Sequence, residues 1–134
     1  MKLIKLLPLL GVIAALGLPT CPRAASPPAA PHVVSSTPRT GAKDVDSGLK
    51  EISVTFDQSM QDGSWSWAYE KKEQFPTLAA QPHFTNKGRT CVLPVKLEAG
   101  HSYLIWINTQ TLKNFKNTAG QPAVPYRLEF TTRK

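Results

Sequence analysis

The chain has 134 residues, enough for one ordinary domain and not two. Its formal charge is +7, from sixteen basic and nine acidic side chains, but these are interspersed, as in Glu70-Lys71-Lys72-Glu73. Nucleic acid is therefore not expected as a partner, because its footprint is a basic cluster. Two cysteines, Cys21 and Cys91, are too few for a disulfide scaffold.

Met1 to Lys5 form a short basic head, and Leu6 to Leu18 are almost wholly apolar. That is the layout of a secretory signal, predicted here over residues 1–25; the run is shorter than the ~20 residues a spanning helix needs. A retained anchor is the alternative. Small residues suited to cleavage stand at Ala15-Leu16-Gly17 and again at Ala24-Ala25-Ser26. Leu18-Pro19-Thr20-Cys21 resembles a lipobox, which makes Cys21 a candidate for lipidation and the only expected membrane contact. The expected location is exported: periplasmic, outer-membrane-anchored or secreted. Without Lys2 and Lys5, fourteen basic residues stand against nine acids.

Proline is dense from residue 19 to 31, and the Pro/Ala-rich stretch 26–31 reads as an extended linker. The domain is expected over residues 32–134. His32 to Thr37 is a β-branched edge strand ended by Pro38, with a turn over Pro38 to Ala42. Leu49 to Asp57 is a strong strand, with Ile52, Val54 and Phe56 on one face and Glu51, Ser53 and Thr55 on the other. One dry face and one wet face is the pattern of an antiparallel sheet in a sandwich.

Ser64 to Tyr69 alternates small and aromatic residues and is predicted as a central strand, with Trp65 and Trp67 on the core side and one of them at its rim. Residues 71–81 are polar and aperiodic and are expected to loop outward. Pro82 to Thr85 is a weak edge strand, followed by a turn at Asn86-Lys87-Gly88. Thr90 to Leu97 is a strand in which Pro94 must turn its missing N–H toward an absent partner. Cys91 is in phase with Leu93 and Val95, so it reads as a small buried hydrophobe; a bridge to Cys21 is the alternative.

Gly100 makes a turn, and Tyr103 opens the next strand. A Tyr in that position marks a tyrosine corner in a β-sandwich. Tyr103, Ile105 and Ile107 then share the core face, while Leu104, Trp106 and Asn108 point outward. Tyr126 to Thr131 alternates again and places Leu128 and Phe130 inside, with Arg127 and Glu129 outside. The ten-residue core expected is Ile52, Val54, Phe56, Leu93, Val95, Tyr103, Ile105, Ile107, Leu128 and Phe130. About seven short strands without helical periodicity describe an all-β, Ig-like antiparallel sandwich.

Three pieces of sequence are similar to the bacterial Ig-like domains of the S-layer-protein type. Val34 to Val45 resembles the family's opening strand with its Pro-x-x-Gly-Ala turn. Ile52 to Met60 resembles its second strand. Leu97 to Tyr103, Ala119-Gly120 and Phe130-Thr131-Thr132 resemble its corner, loop and last strand. The resemblance covers about residues 32–132 and departs at Asn114 to Thr118, where the family loop often carries an Asp, so no cation site is carried over. It implies a non-catalytic module. An accessory role beside an exported enzyme is the runner-up, and a small hydrolase or thiol enzyme the third reading.

No catalytic residue, cofactor or metal site is expected. His32, His83 and His101 lack ligand spacing, and Asp44, Asp46 and Asp62 fall short of a calcium loop. The candidate partner surface is Leu104, Trp106 and Arg127, because Trp and Arg are enriched at binding hot spots. Its expected partner is an envelope protein or polysaccharide. The alternative for Trp106 is a cross-strand or cation–π pair with Arg127.

Overall fold

The computed structural model describes residues 29–134 together with Gly17; the basic head, the apolar run, Cys21 and most of the Pro/Ala-rich stretch lie outside the described residues. Nine strands follow: β1 (Val33–Thr37), β2 (Ala42–Val45), β3 (Glu51–Phe56), β4 (Trp67–Ala68), β5 (Thr77–Leu78), β6 (His83–Thr85), β7 (Thr90–Lys96), β8 (Ser102–Ile107) and β9 (Tyr126–Thr132). One sheet has the order β1-β3-β7-β5, with β6 also on β7, and the other has the order β2-β9-β8-β4. This is the expected all-β sandwich.

All ten predicted core residues are buried between the sheets. The register shows why. Ile52 faces Leu93 and Val54 faces Cys91 across one pair of strands, while Tyr103 faces Phe130 and Ile105 faces Leu128 across the other. Directly opposed residues in an antiparallel ladder share a face, so each apolar row meets another apolar row. Burying each large side chain contributes roughly 1.5–3 kcal/mol. Pro94 lies in β7, between β3 and the pair β5/β6. Val95 N–H reaches Lys50 on the β3 side, whereas Pro94 turns its backbone the other way, its carbonyl accepting from Ala79 where β5 has ended and β6 has not begun. The missing N–H is harmless there.

The corner at Gly100 is built as expected, with one difference in sense. Tyr103 Oη accepts a hydrogen bond from Glu98 N–H at 2.8 Å; the hydroxyl is the acceptor. Thr132 Oγ1 donates to Glu98 C=O, and His101 N–H donates to Thr132 Oγ1, so the last strand is tied to the same corner. Gly100 has a φ of +62°, which a side chain would make costly. Tyr103→Phe leaves the ring stacked on Phe130 but removes the acceptor for Glu98 N–H. Its expected effect is a loss of about 1 kcal/mol, roughly 4–8 °C in melting temperature. An unchanged melting temperature would show that water replaces the hydroxyl without penalty.

Four expectations are corrected. First, not every pairing is antiparallel: after the Pro38–Gly41 turn the chain leaves the first sheet, and β2 runs parallel to β9. Gly41 N–H bonded to Glu129 C=O guides that switch. Second, the Trp67 strand is not central. It is a two-residue edge strand on β8, and both Trp65 and Trp67 are half-buried against the core from that edge. Third, residues 71–81 do not loop outward. A 3₁₀ turn, Lys72–Gln74, packs on β8, and β5 then joins β7 in the opposite sheet. His101 Nε2 lies 2.7 Å from Glu73 C=O; a carbonyl only accepts, so this nitrogen carries the proton. Fourth, the loop after β8 is part of the core. Phe115 is fully buried and Asn108, expected outside, is fully buried as well.

Candidate functional site

The outer face of β8 and β9 has the expected cross-strand pair, with Trp106 opposite Arg127. The two are nevertheless engaged elsewhere. Arg127 Nη1 pairs with Glu129 Oε2 at 3.2 Å, and Trp106 Nε1–H donates to Glu70 Oε1 at 2.9 Å. Leu104 is on the outer face as predicted but is only 5% exposed. The 3₁₀ turn carrying Gln74 lies beside it and covers it, so Leu104 adds little surface.

Two depressions meet at Tyr69. The first, about 320 Å³, is lined by Tyr69, Glu70, Trp106, Thr109, Gln110 and Pro125. The second, about 370 Å³, lies where the chain crosses from β4 to β5; Trp65, Trp67, Phe75, Leu78 and Leu112 form much of its wall. Tyr69 is 51% exposed, Leu112 49% and Leu78 48%. Sequence reasoning missed Tyr69, Glu70, Leu78 and Leu112 as surface residues. The Trp65-x-Trp67-x-Tyr69 alternation was a usable signal for Tyr69. Nothing local announces Leu78 or Leu112, because they belong to segments without a period.

The chemistry-bearing residues elsewhere are occupied by structure. Among the described residues Cys91 is a free thiol, fully buried. Burial pushes its pKa up to about 12, with the Trp67 side chain acting in the opposite direction. It is therefore a protonated core residue at neutral pH and no nucleophile. A bridge to Cys21 lies outside the described residues. Trp67 Nε1, although buried, makes no hydrogen bond of ordinary geometry among the described residues. His32 pairs with Asp57 at 3.2 Å and also donates its backbone N–H to it. His101 stands 3.7 Å from Glu98 as well as donating to Glu73 C=O.

Asp46 Oδ1 accepts from Gly48 N–H in a tight turn. In the Asn114–Thr118 loop, Asn117 Oδ1 accepts from Ala119 and Gln121, while Nδ2 donates to Gln58 Oε1. That amide holds the loop together. Among the described residues no three His, Cys, Asp or Glu side chains come together as a metal-ligand group.

The chain is similar to solved S-layer proteins. A crystal structure of the S-layer protein SbsC aligns at 20% identity over 78% of this chain and 14% of that one, with a TM-score of 0.48. The N-terminal part of the bacterial S-layer protein SbsC aligns at the same identity over 78% of this chain and 24% of that one, with a TM-score of 0.49. The chain thus spans less than a quarter of the length of these proteins. No curated protein matches it. The family model described as "Bacterial Ig-like domain" matches residues 28–132, from just before β1 to the end of β9, and the chain belongs to that family.

Proposed function

We propose that this Ig-like domain is a non-catalytic binding or scaffold module, exported to the cell envelope, that engages an envelope protein or polysaccharide through the aromatic surface around β4 and β8. The observation that supports this reading is the grouping of exposed Tyr69, Leu78 and Leu112 with half-buried Trp65, Trp67 and Trp106 around two adjoining depressions. Aromatic and Arg side chains at an apolar centre, ringed by polar residues, are what partner surfaces are made of. The buried, protonated Cys91 speaks against the thiol-enzyme alternative. Export rests on the N-terminal pattern of a basic head and a short apolar run.

Trp106→Ala tests the surface. Trp106 is only half-buried, and its indole N–H faces an exposed carboxylate, so the domain should keep its fold. The expected outcome is at least about a tenfold loss of partner capture from an envelope fraction, equivalent to about 1.4 kcal/mol. The melting temperature should fall by less than roughly 5 °C. Unchanged capture would place the working surface elsewhere on the domain.

A further inference from the structure

We infer that the pocket between Tyr69 and Trp106 binds the ammonium head group of a small organic cation, with Glu70 as its counter-charge. The inference deepens the binding-module reading by naming a ligand class for one part of that surface. Three observations carry it. Trp106 and Tyr69 both line the pocket, and aromatic rings attract cations through their quadrupole. Glu70 lines it too, and its Oε1 is fixed by the Trp106 indole N–H at 2.9 Å. The carboxylate is therefore held at the pocket rather than free to swing away.

The third observation is that, among the described residues, no basic side chain pairs with it. Among the described residues the ion pairs are His32–Asp57, His101–Glu98 and Arg127–Glu129, and none includes Glu70. Arg127, the cross-strand neighbour of Trp106, is taken by Glu129. Lys71 follows Glu70 but does not line the pocket. One uncompensated negative charge thus sits among aromatic and neutral residues, in a chain that is basic as a whole.

An anion would be repelled here. A neutral apolar ligand would strip water from Glu70 without replacing its interactions, which is costly. A cation satisfies both the carboxylate and the rings. About 320 Å³ is at the small end of ligand pockets (about 300–1,000 Å³), suited to a head group and a short stem. The adjoining depression at Trp65 and Leu78 has no charged residue in its lining and singles out no ligand.

The test follows the Trp106 indole N–H resonance of the full chain, assigned with Trp106→Phe, during titration with choline, ethanolamine and 3,3-dimethyl-1-butanol. The last is the uncharged isostere of choline. Saturable binding of choline or ethanolamine, with the alcohol at least about tenfold weaker, is the expected result. Glu70→Gln should weaken binding of the cation by about tenfold or more and leave the alcohol unaffected. Tyr69→Ala, a half-exposed position whose ring lies 5.5 Å from that of Phe75, should weaken the cation while lowering the melting temperature by no more than roughly 10 °C. Phosphatidylcholine vesicles, set against phosphatidylglycerol vesicles, distinguish a lipid head group from a free solute; capture of the former alone or of free choline alone each supports the site. No response to either cation together with no preference for phosphatidylcholine vesicles, an equal response to the alcohol, or full binding by Glu70→Gln would overturn it. If the cations and the phosphatidylcholine vesicles are both ignored while Trp106→Ala still abolishes capture of a macromolecular partner, this inference fails and the binding-module reading stands.

Discussion

Phe115→Ala is expected to cost about 3–5 kcal/mol of stability, lowering the melting temperature by roughly 15–30 °C. The residue sits in the long connection between β8 and β9, where a truncation would ordinarily be harmless. It is nevertheless fully buried, with its ring centroid 5.3 Å from that of Phe56, 5.5 Å from Trp67 and 6.4 Å from Phe84. The Trp67 and Phe84 contacts are edge-on, the geometry aromatic pairs favour. Removing the ring leaves a cavity bordered by rigid rings from both sheets, which close poorly around it. Leu112→Ala in the same loop is the control: at 49% exposure it should change stability by no more than about 0.5 kcal/mol. Chemical denaturation of both variants decides the matter, and equal small losses would mean that the loop is not part of the core.

Asn108→Gly is expected to cost about 2–4 kcal/mol, from the loss of one side-chain amide. Asn108 Oδ1 accepts from Phe115 N–H, and Nδ2 donates to Phe115 C=O and Ala123 C=O, at 2.9–3.0 Å. These partners fix which end of the amide is oxygen. The side chain is fully buried, so its removal leaves Phe115 N–H and Ala123 C=O without it and without ready access to water. Asn108 also has a φ of +61°, the left-handed region. Gly adopts that conformation freely, so the Gly variant isolates the hydrogen bonds from backbone strain. Amide hydrogen exchange at Phe115 should become markedly faster than in the parent. Protected exchange there, with unchanged stability, would show that the loop is held by Phe115 packing alone.

These two residues mark where sequence reading ran out. Asn108 continues the alternation of Leu104 and Trp106, so period alone sends it outward; the left-handed turn at that residue rotates it inward, and only the loop it caps explains why. Phe115 stands in a stretch without any period, next to Lys113 and Lys116, and its burial depends on an aromatic gap formed by β3, the β4 edge and β6. Leu104 was correctly phased but wrongly taken as surface, because the turn that covers it comes from residues 72–74.

The sequence by itself determined the sandwich, its ten-residue core and the tyrosine corner. Strands dry on one face and wet on the other must alternate, and β3, β8 and β9 are long enough for alternation to be unambiguous. It also showed that Trp106 and Arg127 share an outer face, since a period of two leaves no other choice. Only the tertiary structure decided the parallel β2–β9 pair, the edge position of β4 and the crossing of residues 71–78 between the sheets. Strands of two to four residues carry too little pattern to choose a sheet or a direction. The meeting of Glu70, Tyr69 and Trp106 was likewise decided by the fold, for Trp106 lies 36 residues from Glu70 and is brought to it by the pairing of β4 with β8.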